Sequence, residues 1–341
     1  MSKLFEKYEK PMTIEEAYAQ IRENVAMVDG SAFGILSVTG GGAADYLDGI
    51  ITRDIKYLSI DTVSEGLVLD ENAKVLGNVY VCRMDEDFVV LTPPGSEKAA
   101  AAILGGSADD VKIADVSAEK DLMFFEGPRS YAIVREVMGV DVDTLPLRGI
   151  QSLDSYTVMR IGRSGEYAYA VLGEKDSLAG IIDKAVEFAQ GQDFTLAPTT
   201  EEAMEVCMLE TAQPNFARLD TEEYNLFELC IQWFIQYEKE NYTGRDAMME
   251  LFGREHARES VFFVCLDGLE TKPGDKVLLE DEEIGVVTQC AYCPKKGAVI
   301  GLAVLKAELA VSGVVYSVGS GEIETVSSPV VRPLSWDQPI S

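Results

Sequence analysis

The chain has 341 residues, 58 acidic and 29 basic, and a formal net charge of −29 at pH 7. A field of that sign repels phosphate backbones and anionic lipid, so neither nucleic acid nor membrane is expected as a partner. The length exceeds one ordinary core, no apolar run reaches a membrane span, and residues 1–20 lack a signal-peptide core; a cytoplasmic protein of two or three domains is expected.

Thr13, Ile14, Glu15 and Glu16 read as a capping-box start, and Ala17, Tyr18, Ile21 and Val25 continue at helical spacing. Residues 33–40 alternate like a strand, and Gly40, Gly41 and Gly42 then open a short helix through Leu47. No lysine or second fingerprint element follows these glycines, so they read as a strand-to-helix turn rather than a phosphate cradle. Residues 66–92 read as three strands, with turns at 71–73 and 85–87. A helix follows over 97–104, then a strand, a Gly-Pro turn and a helix over 121–139. Residues 156–172 read as a hairpin, 178–190 as an amphipathic helix, and 199–211 as another helix behind a second capping box.

From Val261 onward helical periodicity nearly disappears, and successive strand patterns with glycine or acidic turns predict a small β-barrel or sandwich. The expected organisation is an α+β body of antiparallel-sheet subdomains over 1–255, with an inserted segment near 55–138, and a β-barrel over 256–341.

Cysteines stand at 82, 207, 230, 265, 290 and 293, mostly in apolar contexts where reduced, buried thiols are the default. Cys290 and Cys293 form a CxxC pair without the further ligands a zinc site needs. His256 is the only histidine, in a charged segment, and reads as a surface residue; one histidine cannot build a multi-histidine metal centre and leaves a serine triad hard to assemble. Chemistry therefore falls to carboxylates, amides, tyrosines or a bound cofactor.

Several stretches, taken in order, resemble the family of the glycine-cleavage T-protein and related folate-dependent demethylases. Residues 15–55 are similar to the family's opening helix, strand, glycine turn and "TRDI"-like stretch. "LVLDENAKVLGNVYVCRM" (67–84) is similar to its strand–turn–strand, and "IGRSGEYAY" (161–169) to its Gly-Tyr-Thr-Gly-Glu motif. "WFIQYEKENYTGRDAM" (233–248) and "EIGVVTQCAYCPKKGAVIGLAVL" (283–305) resemble its Trp…Gly-Arg segment and its barrel hairpin.

The resemblance implies ferredoxin-like antiparallel subdomains followed by the small barrel, with tetrahydrofolate as cofactor. It implies that Glu166 anchors the pterin, whose adjacent N–H and amino groups suit a bidentate carboxylate. Gly77 and Asn78 stand where the family has two aspartates, so the carboxylate used in aminomethyl transfer is absent at that place. Asn78 is then expected near the reacting nitrogen. Tyr80, on the same strand face, is a candidate proton donor or a packing residue. Arg163, in place of the motif tyrosine, meets a folate tail or solvent, and Arg245, which matches the arginine after the family glycine, contacts ligand or pairs with an acid. Met204 and Met208 replace two family arginines, which reads as a repacked helix or a less charged pocket.

These features lead to a tetrahydrofolate-dependent one-carbon transferase acting on a small methylated donor. The alternatives are a true aminomethyltransferase working with a carrier protein, and a folate-binding protein without catalysis.

Overall fold

The computed structural model describes residues 4–85 and 87–340. It is an α+β body joined to a closed barrel. In chain order the body begins with α1 (Ile14–Glu23), β1 (Val25–Asp29), β2 (Gly34–Thr39) and α2 (Ala43–Asp48). Then come β3 (Thr62–Leu69), β4 (Val75–Met84), β5 (Asp87–Thr92), α3 (Glu97–Gly105), β6 (Lys112–Asp115) and β7 (Lys120–Glu126). After α4 (Ser130–Glu136), β8 (Ile150–Ser152), β9 (Tyr156–Met159) and β10 (Ala168–Glu174), the body closes with α5 (Ala179–Ala189), β11 (Leu196–Pro198), α6 (Glu201–Glu210) and α7 (Arg245–Phe252). The barrel strands are β12 (Arg258–Cys265), β13 (Lys276–Leu279), β14 (Glu282–Cys293), β15 (Ala298–Lys306), β16 (Val315–Val318) and β17 (Gly321–Val326). Glu86, in the expected turn between β4 and β5, and the chain ends at 1–3 and 341 lie outside the described residues.

Two sheets build the body: β11-β1-β7-β10-β9-β8, and β3-β4-β5-β2-β6. Pairing is antiparallel throughout except between β1 and β11. Short turns explain this for β3-β4-β5 and β8-β9, since only antiparallel neighbours can be joined by hairpins. Asp70 makes one such turn: its side chain accepts from the Asn72 and Lys74 amides at 2.8 and 2.9 Å, while Ala73 takes φ 63°.

Each sheet has one face covered by its own helices. Leu36, Val38, Val79 and Val81 meet α2 and α3 through Leu47, Ala99 and Ile103. Met123, Phe125, Tyr169 and Val171 meet α4 and α5 through Ile133, Val134 and Ile182. The opposite faces converge on a central core. There Phe124, Ala170 and Met159 pack with Tyr80, Cys82 and Leu91, with α1 and α6, and with Ile300 and Leu302 of the barrel. Met204 belongs to this core, so that methionine is a repacked helix face.

Past the barrel, residues 327–340 return to the body. The Val330 amide donates to the Glu210 carbonyl at 2.7 Å, and the Trp336 indole N–H to the Gly165 carbonyl at 3.0 Å. The expected glycine turn at 40–42 is already filled by protein: the Gly41 amide donates to Asp110 Oδ2 at 3.2 Å.

Candidate functional site

Register places the first polar group. On the β3–β4 hairpin Leu67 faces Asn78 and Glu65 faces Tyr80, so all four share the sheet face turned toward the body centre. Asn78 is fixed from two sides. Its backbone amide and Oδ1 both meet the Ser96 hydroxyl at 3.1 Å, and its Nδ2 donates to Glu65 Oε1 at 3.2 Å. Gly77 makes the close approach to Ser96: its φ is +151°, and a Cβ there would lie 2.6 Å from the Ser96 Cβ and 2.7 Å from its Cα.

Glu65 is buried, and its other oxygen accepts from Arg148 Nη2 at 3.0 Å. Tyr80 is the cross-strand neighbour of Glu65 in this ladder. Burial pushes the Glu65 carboxyl above its ordinary range, against the opposing pull of Arg148, Tyr80 and Asn78. Burial, followed by the Glu65 charge, likewise drives the Tyr80 phenol well up.

The second wall is the turn between β9 and β10. Glu126, fully buried at the end of β7, accepts from the Arg163 and Ser164 amides at 3.1 and 2.8 Å and pins the turn. Gly165 takes φ +80°, and a Cβ there would meet Thr211 at 2.8 Å. Arg163 is buried rather than solvated, and its guanidinium makes a two-point pair with Glu201 at 2.8 and 3.1 Å. Burial works against its charge, but Glu201 and Glu126 outweigh it and hold the guanidinium above its usual value. Its Nε is buried with no hydrogen-bond partner among the described residues.

Asn78, Tyr80, Arg163 and Met208 thus line one slot together with residues 213–216. Its volume is about 20 Å³, room for a water and little more. The same segment is shared with a cleft of about 90 Å³ against the barrel, where Trp233, Phe262 and Leu302 form the apolar walls.

Glu166 does not line the slot. The sequence predicts a carboxylate free to meet a heterocycle; the structure fills both oxygens from its own chain. Oε1 accepts from Arg22 Nη1 at 3.0 Å and the Leu334 amide at 3.1 Å. Oε2 accepts from the Ser335 amide at 2.8 Å and from the Ser335 hydroxyl. The physical reason is Arg22, a buried cation on α1 that needs compensating charge and takes it from Glu166 and from Glu210, the latter at 2.9 and 2.7 Å.

Arg245 is brought to neither slot nor cleft. It begins α7, its Nε donates to the Lys239 carbonyl at 2.6 Å, and Asp246 lies 3.7 Å away. Tyr242 is a core residue. Cys290 and Cys293 lie in separate environments, the first donating to the Thr271 carbonyl at 3.1 Å and the second to Glu210 at 2.9 Å. Burial pushes the Cys293 thiol up to about 12, the wrong direction for a reactive thiolate. No cluster of three or more His, Cys, Asp or Glu side chains suited to a metal occurs among the described residues. No helix among them is long and apolar enough to cross a membrane.

Sequence reasoning missed Glu65. The available signal was alternation: Glu65 occupies the same strand face as Leu67 and Leu69, both buried, so a charged residue there points inward.

Residues 2–239 match a family model described as the GCVT N-terminal domain, and residues 258–336 match the glycine cleavage T-protein C-terminal barrel domain. An aminomethyltransferase of Thermotoga neapolitana is 25% identical over 301 residues, covering 86% of this chain and 82% of the relative. One of Geobacillus thermodenitrificans is 26% identical over 309 residues, covering 88% and 84%. Among solved structures, the glycine cleavage system aminomethyltransferase T of Bartonella henselae superposes with a TM-score of 0.85 at 17% identity, over 96% of this chain and 91% of that one.

Proposed function

The chain belongs to the glycine-cleavage T-protein family, and from that premise we propose that it is a tetrahydrofolate-dependent one-carbon transferase whose donor is a small methylated molecule. The relatives at about a quarter identity are aminomethyltransferases, which supports one-carbon transfer as the reaction class. The observation that carries the reading is the polar slot at the junction of sheet, hairpin turn and α6, where a buried Arg163 Nε lacks a partner.

The groups around this slot fit a pterin chemically. Asn78 offers an amide, Tyr80 a hydroxyl and Arg163 an unsatisfied donor, matching a ring edge that both donates and accepts. The volume does not admit a ring as the slot stands, so its lining has to open for one to bind, and residues 213–215, which also border the cleft and lie outside the core that holds Phe216, are the segment to open in this reading. Glu166 joins the pterin contact only if Leu334 and Ser335 give up their bonds to it. Tetrahydrofolate supplies the nucleophilic nitrogen when bound. The chain's own part is to hold Asn78 through Ser96 and Glu65, to keep water from the slot, and to present an apolar wall at Met208.

Asn78 cannot ionise, so it offers no counter-charge to a cationic aminomethyl group, which favours a methylated donor that does not depend on a carboxylate there. Incubation with tetrahydrofolate and a panel of methylated amines, sulfonium compounds and aryl ethers, read by mass for 5-methyltetrahydrofolate, tests this, and the neutral aryl ethers should be the preferred donors. No product from any donor, despite folate binding, counts against it.

One observation favours a second reading. Glu65 places a buried carboxylate 3.2 Å from Asn78, which could serve an aminomethyl donor delivered by a carrier protein. Ammonia release from an aminomethylated lipoyl carrier distinguishes the two.

A further inference from the structure

Leu209, Gln213, Asn215 and Gln289 border both the cleft against the barrel and a wider groove beside it, of about 460 Å³. Three of them carry a side-chain carboxamide, and none is charged. Asn215 spends its Oδ1 on the Ala217 amide at 3.1 Å. The carboxamides of Gln213 and Gln289 meet no hydrogen-bond partner among the described residues, and both residues are half-buried.

Backbone geometry sets where both stand. In β14, Val287 pairs with Ala303, and both fill the barrel core. Period-two alternation would send residue 289 to that interior as well. Thr288 is an extra residue in the strand, so Gln289 pairs instead with Leu302, which lines the cleft. Directly opposed residues share a sheet face, and the one-residue bulge therefore turns Gln289 out of the barrel and toward the body. The Thr288 hydroxyl donates to the Leu302 carbonyl at 3.0 Å. Gly301 permits the close approach, since a Cβ there would lie 2.5 Å from the Gln289 carbonyl oxygen. On the opposite wall Ala212 takes φ 56° just past α6, and the Gln213 amide donates back to the Met208 carbonyl at 2.9 Å.

A carboxamide offers a carbonyl acceptor and two N–H donors. Two of them at one boundary can accept from a ligand N–H and donate to its C=O together. A carboxylate would use only the donors, and would enter against a net charge of −29. A cation would find no free counter-charge: Glu205, the one acid lining the groove, is held by Arg218 in a two-point pair, both contacts at 3.0 Å.

We propose that Gln213 and Gln289 form a binding subsite for an uncharged amide-type group (an amide, urea or lactam) of a ligand whose apolar flank lies against Trp233, Phe262 and Leu302 in the cleft. Gln213 also borders the slot, so a ligand held here lies beside whatever the slot binds. The assignment does not depend on the identity of that molecule.

The test uses the full chain and the proton–nitrogen NMR signals of its side-chain carboxamides. The two signals of interest are those missing from Gln213→Leu and from Gln289→Leu. Butyramide is the first probe, with butyrate and butylamine as charged counterparts of similar size. Butyramide should shift both signals saturably, in the millimolar range expected of so small a ligand, and should bind at least about fivefold more tightly than either counterpart. Each leucine variant should lose about fivefold in butyramide affinity, the worth of one neutral hydrogen bond. A shift at neither signal or at only one, a charged counterpart that binds as tightly, or leucine variants that match the parent overturn the inference.

Tetrahydrofolate, whose tail carries one amide, is the second probe and separates two sources of the group. Displacement of butyramide by tetrahydrofolate assigns the subsite to that molecule's own amide. Butyramide binding undiminished in its presence assigns the subsite to a second molecule, and either result supports the subsite. If tetrahydrofolate does not bind, the folate reading of the slot falls, and the butyramide titration decides the inference alone.

Discussion

Restoring the family carboxylate by Asn78→Asp places a second acid against Glu65. The present Nδ2–Oε1 contact is 3.2 Å, and both side chains are buried. At that separation two ionised carboxylates repel by about 5 kcal/mol at an effective permittivity of 20. The pair can escape by keeping one proton, which costs about 1.5 kcal/mol at pH 5 and rises by 1.36 kcal/mol per pH unit above that. Arg148, only partly buried, offsets part of the repulsion. We expect Asn78→Asp to lose about 3–5 kcal/mol of stability at pH 8 and about 1 kcal/mol at pH 5. The assay is urea unfolding of variant and wild type at both pH values. The double variant Glu65→Gln/Asn78→Asp should lose the pH dependence, since only one acid remains. A single-variant cost that differs by less than about 1 kcal/mol between pH 5 and pH 8 refutes the reasoning, because it means the two side chains are not coupled in a dry environment.

Arg22→Met leaves Glu166 and Glu210 buried without their cation, and urea unfolding at pH 7 should show a loss of about 3–5 kcal/mol; a loss under about 1 kcal/mol contradicts the buried network. Gly77→Ala drives a Cβ into the Ser96 backbone at 2.7 Å, so it should destabilise by more than about 1 kcal/mol and weaken tetrahydrofolate binding through Asn78, both read on one preparation. Glu65→Gln should change the pH dependence of stability in a definite direction. A carboxyl raised by burial contributes stability that is present below its ordinary value of 4.5 and lost as pH rises through the raised value, so the variant gains on the wild type as pH increases. A difference curve that is flat or falls with pH contradicts that sign.

Much of the fold was legible because the signals are local. The capping box at Thr13, the strand pattern of β2 and the loss of helical period after Val261 each depend on residues within one element; the second expected box is instead a single N-cap bond from Thr200, one residue later, because Thr199 is taken by the Ala17 carbonyl. The candidate site was legible only in part. Asn78 and Tyr80 share a strand, so period-two alternation paired them correctly. Arg163 reached the same slot because its turn is pinned by Glu126, a contact 37 residues away that no local pattern carries. The fate of Glu166 depended on Arg22, 144 residues distant, and on a terminal segment that folds back across the body. Glu65 was overlooked because a single acid in a strand is usually solvated, and only register against Tyr80 reveals that this one is not. Met204 and Met208 show the same limit: four residues apart on one helix, both join the central core, and only Met208 also reaches the slot.

The most direct measurement of the account is calorimetric titration of the wild type and of Arg163→Met with tetrahydrofolate at pH 8. The account predicts one site per chain in the wild type and at least tenfold weaker binding in the variant, which removes the unpartnered donor at the slot. Wild-type heats no larger than dilution, or an Arg163→Met variant that binds as tightly as the parent, contradicts it.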